Sequence, residues 1–137
     1  MNAWVSPFLY RSWPLFAAIL AILPRAAECG NATIFRVPGS GVTEPTAINN
    51  AGDVTGWYEV QGFLRTANGT ITTFSVPKSI LTTPLSINAS GAIAGWYFDK
   101  DYNGHGFIRN RDGTIETVEL ALSTEPQSIN DKGVITG

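Results

Sequence analysis

Asp99, Asp101 and Asn103 stand at alternate positions of the segment Asp99-Lys100-Asp101-Tyr102-Asn103-Gly104. That spacing opens a calcium loop, in which alternate side chains turn oxygens toward one cation and a glycine permits a sharp bend. The ninth and twelfth positions of such a loop are Phe107 and Asn110, and neither is a carboxylate. Three side chains and the His105 carbonyl would need water to reach the ~6–8 oxygens that calcium takes. A polar, solvated hairpin tip accounts for the same letters. Asp99, Asp101 and Asn103 are the candidate metal ligands, and calcium is the one cofactor the chain suggests.

Other chemistry is sparse. His105 is the only histidine and Cys29 the only cysteine. A hydrolytic triad needs a histidine oriented by a carboxylate and touching a nucleophile. A His/Cys zinc site and an internal disulfide both need more residues of these types than one chain has. The carboxylates Asp53, Asp99 and Asp101 suit a polysaccharide-acting enzyme only if two of them face each other across a site. The pairs Trp57-Tyr58 and Trp96-Tyr97 offer flat faces for a sugar, or bulk for a core. Successive side chains alternate faces on a strand, so one member of each pair is expected to be the more exposed. Net charge is −2 with no basic tract, so the footprint of a nucleic-acid binder is missing.

These residues sit in a chain that repeats itself. Ala47-Ile48-Asn49-Asn50-Ala51-Gly52-Asp53-Val54-Thr55-Gly56 returns as Ser86-Ile87-Asn88-Ala89-Ser90-Gly91-Ala92-Ile93-Ala94-Gly95 and as Ser128-Ile129-Asn130-Asp131-Lys132-Gly133-Val134-Ile135-Thr136-Gly137. Val37-Pro38 returns as Val76-Pro77, and Pro45 as Pro84 and Pro126. Gly62-Phe63-Leu64-Arg65 returns as Gly106-Phe107-Ile108-Arg109, and Asn68-Gly69-Thr70-Ile71 as Asp112-Gly113-Thr114-Ile115. A fixed period of this length marks units that bury their apolar faces only by stacking. Between Trp96 and Phe107 the second unit carries five residues more than the first does between Trp57 and Phe63. The Asp99–Gly104 segment lies in that insertion.

Each unit reads as four short antiparallel strands, the pattern of a β-propeller blade. The middle unit's strands are expected near residues 71–76, 85–87, 92–98 and 105–109. Asn68-Gly69 and Asp112-Gly113 read as two-residue hairpin turns with positive φ at both residues. The Asn-x-x-Gly segments read as hairpins closing on a left-handed glycine, and the prolines as lying at strand ends. Trp57, Trp96, Phe63 and Phe107 are expected to fill the seams between units. The units divide as about 33–69, 70–113 and a shortened 114–137. The fold class is all-β: an open array of about two and a half propeller-like blades, where a ring needs ~4–8. A truncated gene is the expected explanation, and the bare blade edges would favour self-association.

The first 28 residues differ from the β-repeat domain of 29–137. Arg11 precedes an apolar run from Trp13 to Leu23, then Pro24-Arg25-Ala26-Ala27. A positive flank, a short apolar centre and small exit residues make a signal helix for export. At 11 residues the run is shorter than the ~20 of a membrane span. An uncleaved membrane anchor is the alternative. Cys29 follows Glu28, where a lipoprotein site wants a small residue.

The recurring Ile-Asn-x-x-Gly-x-Ile-x-Gly, then Gly-x-Gly-Phe-Ile-Arg, then Asp-Gly-Thr-Ile resembles the bacterial HAF-repeat family of extracellular repeat proteins, named for a His-Ala-Phe triplet at this position. Here the triplet reads His105-Gly106-Phe107 and Gln61-Gly62-Phe63, so it departs in both units. The resemblance covers roughly residues 33–137. It implies bacterial secretion and a propeller-like fold, and carries over no catalytic residue. The expected function is a secreted, non-catalytic β-repeat protein that meets a surface partner or glycan. The alternative is part of an extracellular polysaccharide-acting propeller enzyme.

Overall fold

Six of the seven hairpins among the described residues turn in the same way. In the computed structural model, which describes residues 32–119 and 124–137, each of the six closes through a pair of backbone bonds. At the first, the Asn49 N–H donates to the Asp53 carbonyl at 3.0 Å and the Gly52 N–H to the Asn49 carbonyl at 3.0 Å. The same pair of bonds closes turns that begin at Thr66, Asn88, Asp99, Asn110 and Asn130. This is the three-residue hairpin loop, whose last residue alone is left-handed. At the Asn68-Gly69 turn only Gly69 has positive φ, at 93°. The expected two-residue turn is thereby corrected: Asn68 side-chain Oδ1 accepts the Thr70 N–H and holds Asn68 out of the left-handed region.

The turns connect ten antiparallel strands in three sheets, with no helix among the described residues. The first sheet runs β1 (Glu44–Ile48), β2 (Val54–Tyr58), β3 (Gln61–Arg65) and β4 (Ile71–Phe74), paired in chain order. The second repeats this with β5 (Ser79–Ile87), β6 (Ile93–Asp99), β7 (Gly104–Arg109) and β8 (Ile115–Val118). The third is a pair, β9 (Ser128–Ile129) and β10 (Ile135–Thr136). None is closed on itself. The sheets divide the chain after Phe74 and Val118, one strand later than the division at 69 and 113. A sequence period sets the length of a unit but not its phase. Here the phase is set by the Thr66–Thr70 hairpin, which pairs β4 to β3.

Pro45 and Pro84 lie inside β1 and β5, not at strand ends, and both sit at bulges. Pro45 pairs with Gly56 and Pro84 with Gly95, and the residue left out of register at each bulge is the next one, Thr46 or Leu85. Opposite each proline is a glycine that permits the close approach. A Cβ on Gly56 would lie 2.1 Å from the Glu44 carbonyl oxygen.

Within Ile34–Gly137, which is one compact unit, the sheets pack on one another, β5 against β1, β2 and β3, and β9 against β5 and β6. Phe107 and Ile93 of the second sheet are fully buried, with Val76, Ile87 and Tyr97 around them and Ala47, Leu64 and Phe74 of the first sheet against them. Phe74 meets Phe107 edge-on at 6.2 Å, and Phe35 meets Phe63 edge-on at 5.8 Å. Burying each such phenylalanine contributes about 2–3 kcal/mol. Phe107 fills the seam between the first two sheets as expected, while Phe63 is fully buried against Phe35, ahead of β1. The Trp96 expectation is corrected: Tyr97, 7% exposed, joins the core, while Trp96 lies half-buried on the other face of β6 beside Phe98.

Candidate functional site

The sequence directs attention first to the insertion hairpin between β6 and β7. Asp99 ends β6, and its Oδ1 accepts the N–H groups of Asp101 at 2.8 Å and Asn103 at 2.9 Å. Its Oδ2 accepts the Asn103 amide at 3.1 Å and faces His105 Nε2 at 3.1 Å. The Asn103 N–H and side chain, with His105 and the Asp101 N–H, hold the Asp99 carboxyl well below the ordinary carboxylate range. Asp101 instead turns to solvent and meets Lys100 Nζ at 2.6 Å. The three predicted ligands thus share one turn, but Asp99 is engaged on both oxygens by that turn. Among the described residues, no group of three His, Cys, Asp or Glu side chains that could hold a metal ion is present.

The physical origin of this arrangement is plain when the hairpins are compared. Asn49 Oδ1 accepts the Ala51 and Asp53 N–H groups, and Asn130 Oδ1 accepts those of Lys132 and Val134. Asp99 does the same work at the head of its own turn. The bend falls at Tyr102, with φ of 61°, where the other five turns place glycine. Gly104, the bending residue of a calcium loop, already lies in β7 opposite Phe98.

His105 is held on both ring nitrogens. Besides Asp99, its Nδ1 lies 3.5 Å from Glu119 Oε1, and its ring stacks on Tyr97 at 5.0 Å. Burial, then the charges of Glu119 and Asp99, push the Tyr97 phenol up from its ordinary pKa. With a carboxylate at each nitrogen, this imidazole ties the insertion hairpin to the chain beyond β8. A general base would need one nitrogen turned to a substrate or nucleophile. Spacing gave no sign of Glu119, because it follows the hairpin that brings β8 back beside β7.

A second set of residues forms a line across all three sheets. Asn49 Nδ2 donates to the Asn88 carbonyl at 3.1 Å, and Asn88 Nδ2 donates to the Asn130 carbonyl at 3.0 Å. The Ala89 N–H reaches Asp131 Oδ1 at 2.8 Å beside it. A shallow polar cleft of about 190 Å³ follows the line, bordered by Asn49, Asn50, Asn88, Ala89 and Asp131. Sequence alone assigns these asparagines to their own turns. Their reach into the next sheet depends on how the sheets stack, which no local pattern encodes.

Repeated Arg65 and Arg109 also acquire a role. Arg65 lies 5.0 Å over Phe35, and Arg109, 7% exposed, lies 4.9 Å over Phe74. Burial lowers the Arg109 pKa from its ordinary value, and Asp112 opposes that shift. Each arginine caps the phenylalanine preceding its sheet, a cation–π contact that strengthens when desolvated. Asp53 and Asp99 sit on different hairpins, each bonded to backbone N–H groups, Asp53 to that of Ala67. No contact joins either of them to Asp101 across a shared cleft among the described residues, beyond the turn that Asp99 and Asp101 form together.

No helix of the described residues is long and apolar enough to cross a membrane. The signal segment 1–28 and Cys29 lie outside the described residues. Set beside known protein families, characterised proteins and solved structures, the chain matches none.

Proposed function

We propose that this chain is an exported, non-catalytic repeat protein whose sheets stack as propeller blades and whose hairpin tips meet a surface partner or glycan. The supporting observation is the line from Asn49 through Asn88 to Asn130. It couples the first hairpin of each sheet to the next in one repeated relation, as blades around a common axis require. Strand order supports it too: the first two sheets are four-stranded meanders, each with its fourth strand leading to the first strand of the next sheet. The ladder's cleft is polar and faces solvent, and Asn50, Ala89 and Asp131 stand exposed along it. Side-chain amides and carboxylates of this kind suit the hydroxyl groups of a glycan. Export rests on Arg11 and the apolar run of residues 13–23, and the resemblance to secreted repeat proteins agrees with it.

The test is a glycan array probed with the purified full chain, paired with a polysaccharide-degradation assay. Retention that is lost in the Asn50→Ala, Asp131→Ala double variant, with no cleavage of the retained glycan, is the expected result. Cleavage of a polysaccharide overturns the non-catalytic reading. Retention unchanged in the double variant overturns the hairpin tips as the contact surface.

A further inference from the structure

Opposite ends of the strands close their turns with different residues. At the end that carries the asparagine line, the hairpins bend on Gly52, Gly69, Gly91, Gly113 and Gly133, all with positive φ. At the other end, left-handed positions hold side chains: Glu59 at 49°, Lys78 at 68° and Tyr102 at 61°. Among the described residues these three are the non-glycine residues with positive φ. Lys78 stands where the preceding repeat has Gly39, since Val76-Pro77-Lys78-Ser79 answers Val37-Pro38-Gly39-Ser40. An L side chain in that region is strained, and Tyr102, 75% exposed, recovers little by packing within the chain. Glu59 and Lys78 are exposed as well. Strain that the fold does not offset directs attention outward, to a contact made with another molecule.

Apolar side chains gather at the same end. Val42, Val60, Ile80 and Tyr102 are 49%, 54%, 40% and 75% exposed. Backbone contacts set them in one row. The Gly41 N–H, beside Val42, donates to Glu59 Oε1 at 3.4 Å. The Val60 carbonyl accepts the Thr82 N–H at 3.0 Å, which brings the β2–β3 turn against the first half of β5. Ser79 then pairs with Asp99, at the head of the turn that bends on Tyr102. Carboxylates outnumber cations along this row. Glu59, Asp101 and Glu119 are exposed, and Lys100 is taken up by Asp101 at 2.6 Å. Lys78 is the other cation, and it has no ion-pair partner among the described residues.

We infer that this row of hairpin tips docks a polypeptide segment of another protein, one that presents lysine or arginine together with apolar side chains. The carboxylates of Glu59, Asp101 and Glu119 complement its cations, and the apolar tips meet its apolar side chains. Aliphatic tips such as Val42, Val60 and Ile80 suit a polypeptide better than a sugar, which stacks on flat aromatic faces. The row lies at the end of the strands away from the cleft of Asn50 and Asp131, so it stands or falls independently of the glycan reading.

The experiment is fluorescence anisotropy of a labelled peptide of alternating lysine and leucine, titrated with the full chain. A glutamate–leucine peptide, a lysine–serine peptide and a glucosamine oligomer are the references. The lysine–leucine peptide is expected to bind about tenfold more tightly than any of them. Val60→Ser with Ile80→Ser, and Glu59→Gln with Asp101→Asn, are each expected to weaken its binding about tenfold while keeping a wild-type circular dichroism spectrum. Ile48→Ser, 68% exposed at the other end, is expected to bind as wild type does. Lys78→Gly removes the opposing cation and is expected to tighten binding. Tyr102→Gly is expected to weaken binding while raising the melting temperature, a pairing that a purely structural turn residue does not give. Absence of binding, equal binding of any reference, or binding unchanged in either double variant overturns the inference. So does a Tyr102→Gly chain that binds as wild type does, or a loss of binding in Ile48→Ser, which moves the contact to the opposite end.

Discussion

Asn49 and Asn88, 39 residues apart, are joined by a 3.1 Å bond from the side-chain amide of the first to the main-chain carbonyl of the second. Each asparagine therefore has two tasks. Its carbonyl oxygen closes its own hairpin, and its amide fastens that hairpin to the next sheet. Only a side chain with an acceptor and a donor at the same short reach can do both.

Asn88 is buried and is bonded in both directions. Asn88→Ala is expected to lower unfolding free energy by about 1–3 kcal/mol, since a turn bond and a seam bond are lost together. Asn50→Ala, at an exposed neighbouring position, is expected to stay within about 0.5 kcal/mol of wild type. Urea unfolding at fixed pH compares them. Equal midpoints for the two variants would remove the ladder as a stabilising element.

Gly62 is the place where the next sheet seats. A Cβ there would lie 2.7 Å from the Phe74 ring and 2.8 Å from Pro84 Cγ. Gly106 stands in the same relation to Pro126, at 2.8 Å. Overpacking of this kind costs about 1–3 kcal/mol, so Gly62→Ala and Gly106→Ala are each expected to lower the melting temperature by several degrees. Gly41→Ala meets nothing within 4 Å and serves as the neutral comparison.

Tyr102 occupies the left-handed slot that glycine fills in the other five turns. An L side chain in that region is strained by about 1–2 kcal/mol, partly offset by the greater freedom that glycine has in the unfolded chain. The ring is 75% exposed and loses little on removal. Tyr102→Gly is expected to raise stability by about 0.5–1 kcal/mol, read by thermal melting. A fall in melting temperature would show that the exposed ring contributes packing.

Asp99 and Asp112 are both held below the ordinary carboxylate pKa, Asp99 chiefly by the Asn103 N–H and Asp112 chiefly by the Thr114 hydroxyl and N–H. A depressed folded-state value means the charged form is favoured by folding. That contribution is complete above the unfolded pKa of about 3.9 and is lost as pH falls through the lower folded-state value. Stability is therefore expected to decline below about pH 4, and Asp99→Asn to flatten the decline. Melting temperatures from pH 6 to 2 check both. An identical acid slope in Asp99→Asn would remove Asp99 as a source.

Calcium offers a separate check on the same hairpin. With both Asp99 oxygens engaged by the turn, adding the ion is expected to leave the melting temperature unchanged. A rise that disappears in Asp101→Ala would show that the loop opens to hold the cation.

Much of the fold was legible in the chain. The Asn-x-x-Gly recurrence marks the hairpins, the short apolar runs mark the strands, and Phe107 marks the seam between the first two sheets. All are short-range patterns: turn chemistry and alternation act over a few residues, so the letters carry them directly. The same patterns misplaced the division between sheets, because a period is unchanged when its starting point slides. They also favoured Trp96 over Tyr97 for the core, since alternation shows that two neighbours face opposite ways but not which way.

Sequence by itself determined that this protein is a run of similar antiparallel units, with a glycine required at most of its turns. Tertiary structure alone decided that β4 belongs with β1–β3, that Glu119 meets His105, and that Asn49 reaches Asn88. The reason is distance along the chain. Those contacts join residues that share no local pattern, and they exist only once the hairpins have paired and the sheets have stacked.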